Sequence, residues 1–304
     1  MSSKGHLLPT ACLLGAMVLW ASSFVALKVA FTVYDPMFVI FGRMFCASIL
    51  FLFCIPLFKK NRLRKEDLKL MAFMVVCEPC CYFLFEAAAI ENTSASQAGM
   101  ITAMLPLMVA IAASIYLKEV VTPRTISGFI MAIAGACLLS FYALVDGHAP
   151  NPVLGNFYEF LAMVCATGYT IMLKKLSSRY DPFFLTAIQA FAGTFFYLPL
   201  MFLGHNALPF RYDPIPALSI LYLGIFVSIG AYGLYNYAVS KVPASQASAF
   251  INLIPVFTVI MGSMILGERF TPVQYLASAI VIAGVFLSQD WSNGKDTAAS
   301  GNLG

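Results

Sequence analysis

The chain has 304 residues, 61% of them hydrophobic and 11% charged, with a mean hydropathy of +0.85 and a formal net charge of +4. Soluble domains carry roughly 45–50% apolar and about 25% charged residues, so a water-soluble fold is excluded and the bilayer must be the main solvent. No Lys/Arg tract interleaved with aromatics is present, so nucleic acid is not an expected partner.

Taken in chain order, apolar stretches of about 20 residues, enough to cross roughly 30 Å of hydrocarbon, occupy 7–31, 36–58, 68–90, 95–117, 122–143, 154–176, 182–203, 214–239, 244–266 and 272–287. They lack the strict alternation of barrel strands, and a helix satisfies its own backbone in lipid. The fold class is therefore an all-α integral membrane protein with ten transmembrane helices. The first run is too long for the apolar core of a signal peptide, roughly 7–15 residues, and reads as a membrane span. The cysteines Cys12, Cys46, Cys54, Cys77, Cys80, Cys81, Cys137 and Cys165 all lie in apolar segments. They read as small packing residues, with neither a disulfide framework nor a metal set expected.

Basic residues set the orientation. With the N-terminus inside, the cytoplasmic connections hold Lys4, the 59–69 cluster, Lys118, Arg124, Lys174, Lys175, Arg179, Lys241 and Lys295, and the outer ones only Lys28, Arg211 and Arg269. Both termini are then cytoplasmic.

The chain also repeats itself. Ser94-Ala95-Ser96-Gln97-Ala98 returns as Pro243-Ala244-Ser245-Gln246-Ala247. Pro106 pairs with Pro255, Glu119 with Glu268 and Gly135 with Gly284, all at one offset (246 − 97 = 149). Lys28 and Tyr34-Asp35-Pro36 pair with Lys174 and Tyr180-Asp181-Pro182 at a slightly shorter one (174 − 28 = 146). Five spans per copy is an odd number, so the second copy enters the membrane from the opposite face. Two inverted five-helix repeats follow, 1–146 and 147–290, with a disordered cytoplasmic tail at 291–304. Inverted repeats give a scaffold with two near-equivalent states and a site at the midplane between them.

Glu78 and Glu86 stand inside the third span, where an acid costs roughly 2.5–3.5 kcal/mol on insertion scales and so faces an interior or a wet cavity. Glu78, Tyr82 and Glu86 form one helical stripe. Ser228, Tyr232 and Asn236 of the eighth span match it at an offset of 150 (232 − 82), with Phe85 paired to Tyr235. Two stripes facing across a cavity would bind a cation or ammonium group; the bland alternative is a buried acid held by Arg43. Arg43, in the second span, either meets a substrate carboxylate or pairs with a glutamate. Trp20 joins Tyr82, Tyr232 and Tyr235 in an aromatic wall suited to cation–π contact. Asn252 heads the polar residues that could line the cavity, with Gln97, Thr102, Gln246 and Ser248 after it. Pro106 and Pro255 each remove a helix hydrogen bond in mid-span and are expected to act as hinges.

Leu19-Trp20-Ala21-Ser22-Ser23-Phe24-Val25-Ala26-Leu27-Lys28, then Asp35-Pro36, Gly42-Arg43, the stretch 82–106 and Gly135 resemble the EamA family of the drug/metabolite transporter superfamily. The likeness runs from about residue 8 to 289; it departs at Ala21, where the family usually has glycine, and at Ala166, which stands in the second copy where the first has Trp20. It implies a ten-helix bundle in the bacterial inner membrane that moves small metabolites, commonly amino acids and often outward.

The expected function is a transporter of an amino acid, amine or lipophilic cation, an exporter or exchanger working by alternating access. It needs no cofactor; a carboxylate in a semi-dry cavity can take up and release protons, so proton coupling is an expectation. Its partners are a small-molecule substrate and the lipid bilayer, and monomer and homodimer are both compatible. A nucleotide-sugar or phosphorylated-metabolite antiporter is the alternative, but it needs several cavity Lys/Arg. An intramembrane enzyme lacks the residues: His6, His148 and His205 lie at a terminus and in loops, and no Gly-x-Ser-x-Gly elbow or nucleotide loop occurs.

Overall fold

A computed structural model describes residues 4–58, 63–117, 123–142, 149–203 and 212–288. They form ten rods, numbered here as spans. Span 1 is Lys4–Phe31; span 2 is Pro36–Cys54, prolonged by one 3-10 turn, Ile55–Phe58. Span 3 runs through Leu68–Val75, Val76–Cys81 and Tyr82–Asn92, and span 4 through Ala95–Ile101, Thr102–Met104 and Leu105–Leu117. Spans 5, 6 and 7 are Pro123–Phe141, Pro152–Leu176 and Pro182–Leu200. Span 8 joins Pro214–Tyr222, Leu223–Ala231 and Tyr232–Lys241; span 9 joins Ala244–Ala249, Phe250–Leu253, Ile254–Met261 and Gly262–Leu266; span 10 is Pro272–Ser288. Seven of the ten are long and apolar enough by themselves to cross a bilayer. The expected boundary between the repeats (146/147), the tail 291–304, the basic residues 59–62, Lys118, Glu119, His148, His205 and Arg211 lie outside the described residues.

The starts of four spans follow from one local pattern. Asp35-Pro36, Asn151-Pro152, Asp181-Pro182 and Asp213-Pro214 each put an acceptor side chain before a proline that has no N–H to satisfy. Asp35 accepts from Met37 N, Asn151 from Leu154 N, Asp181 from Phe183 N and Phe184 N, and Asp213 from Ile215 N. Side-chain capping with proline in the first turn fixes a sharp helix start. Span 9 ends on Gly267 at φ +70°, a left-handed cap that a side chain would strain.

The two copies meet around a pseudo-two-fold axis. Ser48 and Thr194 are equivalent positions (194 − 48 = 146), and their hydroxyls bond each other at 2.8 Å. Span 2 packs on span 7 and span 5 on span 10, while span 3 packs on span 6 as span 1 does on span 8. Gly135 permits the 5–10 approach, since a Cβ there would lie 2.8 Å from Val281 N. Lys28 Nζ donates to the carbonyls of Ile90 and Thr93 at the end of span 3, at 2.5 and 2.8 Å. Lys174 Nζ does the same for Val239 and Val242 at the end of span 8, at 2.8 and 2.6 Å.

This last pair corrects the expected register of spans 3 and 8. The lysines are 146 apart, but their acceptors are 149 apart (242 − 93), and Tyr82–Asn92 and Tyr232–Lys241 are both regular α-helix back from those ends. The equivalent of Tyr232 is therefore Phe83, and that of Glu86 is Tyr235. Tyr82 pairs with Ala231 rather than Tyr232. The second copy has three more residues between the start of span 8 and Tyr232, and it absorbs them in the wide π-type turns of Leu223–Ala231, the usual way for a helix to take an insertion. The first copy instead breaks at Glu78 (φ −150°, ψ 118°) before Pro79.

Candidate functional site

The break in span 3 exposes backbone groups that lipid cannot satisfy. Span 7 meets that need: Tyr197 Oη donates to the carbonyls of Cys80 (2.5 Å) and Pro79 (3.2 Å), and Gln189 Nε2 to that of Glu78 (3.5 Å). The break thus aims the Glu78 carboxylate inward, where Tyr232 Oη of the other copy donates to its Oε1.

Around it lies a cavity of about 40 Å³, against roughly 10–15 Å³ for a single water on the same measure. Trp20, Arg43, Glu78, Tyr82, Glu86, Tyr232 and Tyr235, all expected to bind substrate, come together on its wall. Trp20 packs edge-on against Tyr232 (ring centroids 5.2 Å) and tilted against Tyr235 (4.8 Å). Thr102 also lines the cavity, as do Ser23, Met163, Tyr169, Thr170, Ile251 and Ile254.

Arg43, 1% exposed, is held from three sides. Its Nε donates to Ser228 Oγ at 3.0 Å, its Nη1 lies 3.7 Å from Glu86 Oε2, and its guanidinium stacks over Phe83 at 4.3 Å. A buried ion pair seldom adds stability, yet losing one partner leaves an uncompensated charge costing about 3–5 kcal/mol. Glu86 Oε1 accepts from Tyr82 Oη at 3.0 Å, while its Oε2 accepts no hydrogen bond. The indole N–H of Trp20 is likewise buried and without an acceptor. The Tyr235 hydroxyl on the same wall is also buried without a partner, so the wall carries one carboxylate oxygen and two aromatic polar groups that make no hydrogen bond.

Two expected residues stand elsewhere. Asn236 is buried behind the wall, donating to Thr186 Oγ1 (2.9 Å) and Gln189 Oε1 (3.4 Å) and accepting from Tyr169 Oη (2.6 Å). That network is complete and orients Tyr169, which does reach the cavity. Asn252 is passed over in favour of its neighbours Ile251 and Ile254, because the 3-10 turn Phe250–Leu253 changes the helical phase just before Pro255. Pro106 and Pro255 each follow such a turn, and the turns 102–104 and Phe250–Leu253 pack on each other across the axis. Gln97 belongs to a buried cluster at the joint of spans 3 and 4, Gln246 is exposed, and Ser248 bonds the Ser245 carbonyl.

One residue escaped the sequence reading. Glu159 of span 6 is fully buried, and neither of its oxygens has a hydrogen-bond partner. It interacts electrostatically with Glu86. The signal was the one that marked Glu78: an acid inside an apolar helix.

The EamA-like transporter family model matches residues 8–141 and again 153–289. An uncharacterized transporter of Archaeoglobus fulgidus is 26% identical over 95% of this chain and 98% of its own length. A probable terminal-alkyne amino-acid exporter of Streptantibioticus cattleyicolor is 27% identical, covering 93% and 94%. An S-adenosylmethionine/S-adenosylhomocysteine transporter of Chlamydia muridarum is 27% identical, covering 88% and 86%. A solved crystal structure superposes with a TM-score of 0.66 over 92% of this chain and 97% of its own, at 17% identity, which supports the fold alone. With ten helical spans and a family match to both copies, the chain belongs to the EamA-like transporter family.

Proposed function

We propose that the protein carries a small solute bearing an ammonium group, an amino acid or a related amine, through the cavity between its two repeats by alternating access. The observation that carries this reading is a set of cavity-wall atoms without hydrogen bonds: Glu86 Oε2, which Arg43 approaches only to 3.7 Å, then Trp20 Nε1–H, and Tyr235 Oη. The first accepts from an ammonium group and the second donates to a carboxylate. Tyr82, Tyr232 and Tyr235 surround them with ring faces that favour a cation. The S. cattleyicolor relative is named for an amino acid and the C. muridarum relative for an amino-acid-derived nucleoside, and both cargoes carry an ammonium group. A phosphorylated cargo is less well served, because Arg43 is already engaged by Glu86, Ser228 and Phe83. By this reading the protein is an exporter or exchanger rather than an enzyme, in a bacterial inner membrane with both termini cytoplasmic. The repeats divide near residue 146, and Pro106 and Pro255 serve as the hinges.

The test is a thermal-shift screen of amino acids and amines on the purified protein, followed by uptake of labelled hits into proteoliposomes. Glu86→Gln and Glu78→Gln should weaken cationic hits about tenfold or more and neutral ones much less. Equal losses for both classes, or a screen with no hit that crosses, would reject the reading.

A further inference from the structure

Of the five buried acids among the described residues, four have partners. Asp67 is bonded by Arg179 and Tyr180, Glu78 by Tyr232, Glu86 by Tyr82, and Glu268 by the backbone of Ala95 and Ser96. Glu159 has none. An ionised carboxylate with no hydrogen bond, sealed from solvent, costs several kcal/mol, a cost that a bound proton removes.

Its place in the fold gives that proton somewhere to go. Glu159 lies about two turns into span 6, and Met163, one turn further, is on the cavity wall. One turn back, Asn156 Nδ2 donates to Gln97 Oε1 at 3.1 Å, and Thr93 Oγ1 donates to Asn156 Oδ1 at 2.9 Å. These residues form a buried polar cluster at the end of the bundle where spans 3 and 4 join. Along span 6, Glu159 thus lies between that cluster and the cavity, and it interacts electrostatically with Glu86 and Tyr82 of span 3. The titratable groups acting on Glu159 come from span 3: Glu86 directly, with Tyr82 feeling both acids. Arg43 of span 2 acts through Glu86, and span 4 contributes the neutral Gln97.

We propose that Glu159 is a proton-binding site that exchanges its proton with Glu86, so that cargo leaving or entering the cavity is coupled to one proton. The proposal rests on the transport reading above. In the exchange the Glu159 O–H bond breaks and an Oε2–H bond forms on Glu86. The pair then holds one proton, on Glu86. A cargo ammonium bound at Glu86 reverses the transfer, because the carboxylate it needs cannot keep the proton, and Glu159 then releases that proton to water at the Thr93–Gln97–Asn156 end; when the cargo leaves, one proton returns to the pair by the same route. Two adjoining carboxyls cannot readily both ionise, which ties one proton to the pair whenever the cavity holds no cation.

Infrared difference spectra of the protein in lipid nanodiscs test the site without any cargo. At neutral pH the wild type should show the C=O stretch of a neutral carboxylic acid that Glu159→Gln lacks and Glu159→Asp shifts. An unchanged band in Glu159→Gln overturns the proposal. Coupling is read in liposomes holding a pH-sensitive dye, with an equimolar mixture of amino acids added outside. Glu159→Gln should still exchange labelled amino acid at near wild-type rate but lose proton movement at least tenfold. Proton movement that persists while exchange continues also overturns it. If the wild type moves no amino acid, the transport reading fails separately, while the infrared result still decides whether Glu159 holds a proton.

Discussion

Replacing Asp67 by Asn should loosen one end of the bundle and leave the other in place. Asp67 stands at the start of span 3, yet its carboxylate does not cap that helix. It reaches across to the connection between spans 6 and 7, accepting from Arg179 Nη1 at 2.8 Å and Tyr180 Oη at 3.0 Å. Its equivalent is Asp213 (213 − 67 = 146), and Tyr180's is Tyr34. There Asp213 contributes only its backbone: Asp213 N donates to Tyr34 Oη at 3.3 Å, and that hydroxyl donates to the Asp213 carbonyl at 3.4 Å, while the carboxylate caps Ile215 N. One end thus has a charged latch and the other a weak neutral one. A hydrogen bond to a charged group contributes about 1.5–3 kcal/mol, but the Arg179 side chain is 47% exposed and that share must be discounted for screening. A net loss of about 1–2 kcal/mol shifts the closed-to-open ratio at that end roughly 5–30-fold. Spin labels at Glu66→Cys and Ser178→Cys report this end, and labels at Thr32→Cys and Tyr212→Cys the other, in a background without the native cysteines. All four positions are exposed. Asp67→Asn should lengthen the first distance only. An unchanged first distance, or equal widening at both ends, would refute the latch.

Other consequences are simpler. Gly135→Val should lower the unfolding temperature in detergent, since overpacking costs about 1–3 kcal/mol and the new side chain would meet Val281 backbone. Glu268→Ala should cost about 1–2 kcal/mol by freeing the N–H groups of Ala95 and Ser96, bonded at 2.8 and 2.9 Å. Gly262→Ala should reproduce much of that loss, because its Cβ would fall 2.7 Å from Glu268 Oε2; both are read by thermal unfolding in nanodiscs. Membrane-impermeant labelling of Asn61→Cys and Ser177→Cys in intact cells should place both on the cytoplasmic face. Labelling of one from each side would break the inverted topology.

Hydropathy and the repeat made the ten spans legible, because lipid forces each crossing to be a helix of fixed minimum length. The cavity was also largely legible. A tryptophan, an arginine and two glutamates inside apolar helices have few places to be except where they meet. Rotational phase was not. The 150-residue pairing of Tyr82 with Tyr232 rested on residue likeness, and only the Lys28 and Lys174 hydrogen bonds show where three extra residues enter span 8. Asn252 failed for a related reason: one 3-10 turn moves each later side chain relative to an ideal α-helix, and Ile251 took the wall position. Glu159 was readable as an intramembrane acid with Asn156 one turn before it, but no aromatic–polar stripe like that of span 3 surrounds it. Leu13 stands at its place in the first copy (159 − 146 = 13), so the repeat did not point to it either.

The departures from symmetry carry the mechanism. A scaffold of two equivalent copies gives two states of nearly equal energy, and only residues that differ between copies can favour one over the other. Near the cavity those include Glu78, then Trp20 against Ala166, Arg43 against Gln189, Glu86 against Tyr235, and Glu159 against Leu13. Glu159 and Glu86 belong to different copies and interact electrostatically where span 6 packs on span 3; in the equivalent packing of spans 1 and 8 their counterparts are Leu13 and Tyr235, which carry no charge. On the alternating-access reading proposed above, the packing of spans 6 and 3 would take the form now held by spans 1 and 8 when the copies exchange conformations. The energy of that exchange then depends on the charge of one acid pair. With both acids ionised, their repulsion at an effective dielectric near 20 is of order a few kcal/mol, enough to set the preference of an otherwise balanced scaffold. Glu159→Leu makes the copies alike at this position. In the spin-label pairs described above, it should weaken the pH dependence of the balance between the two ends, which the wild type shows as the pair gains or loses its proton.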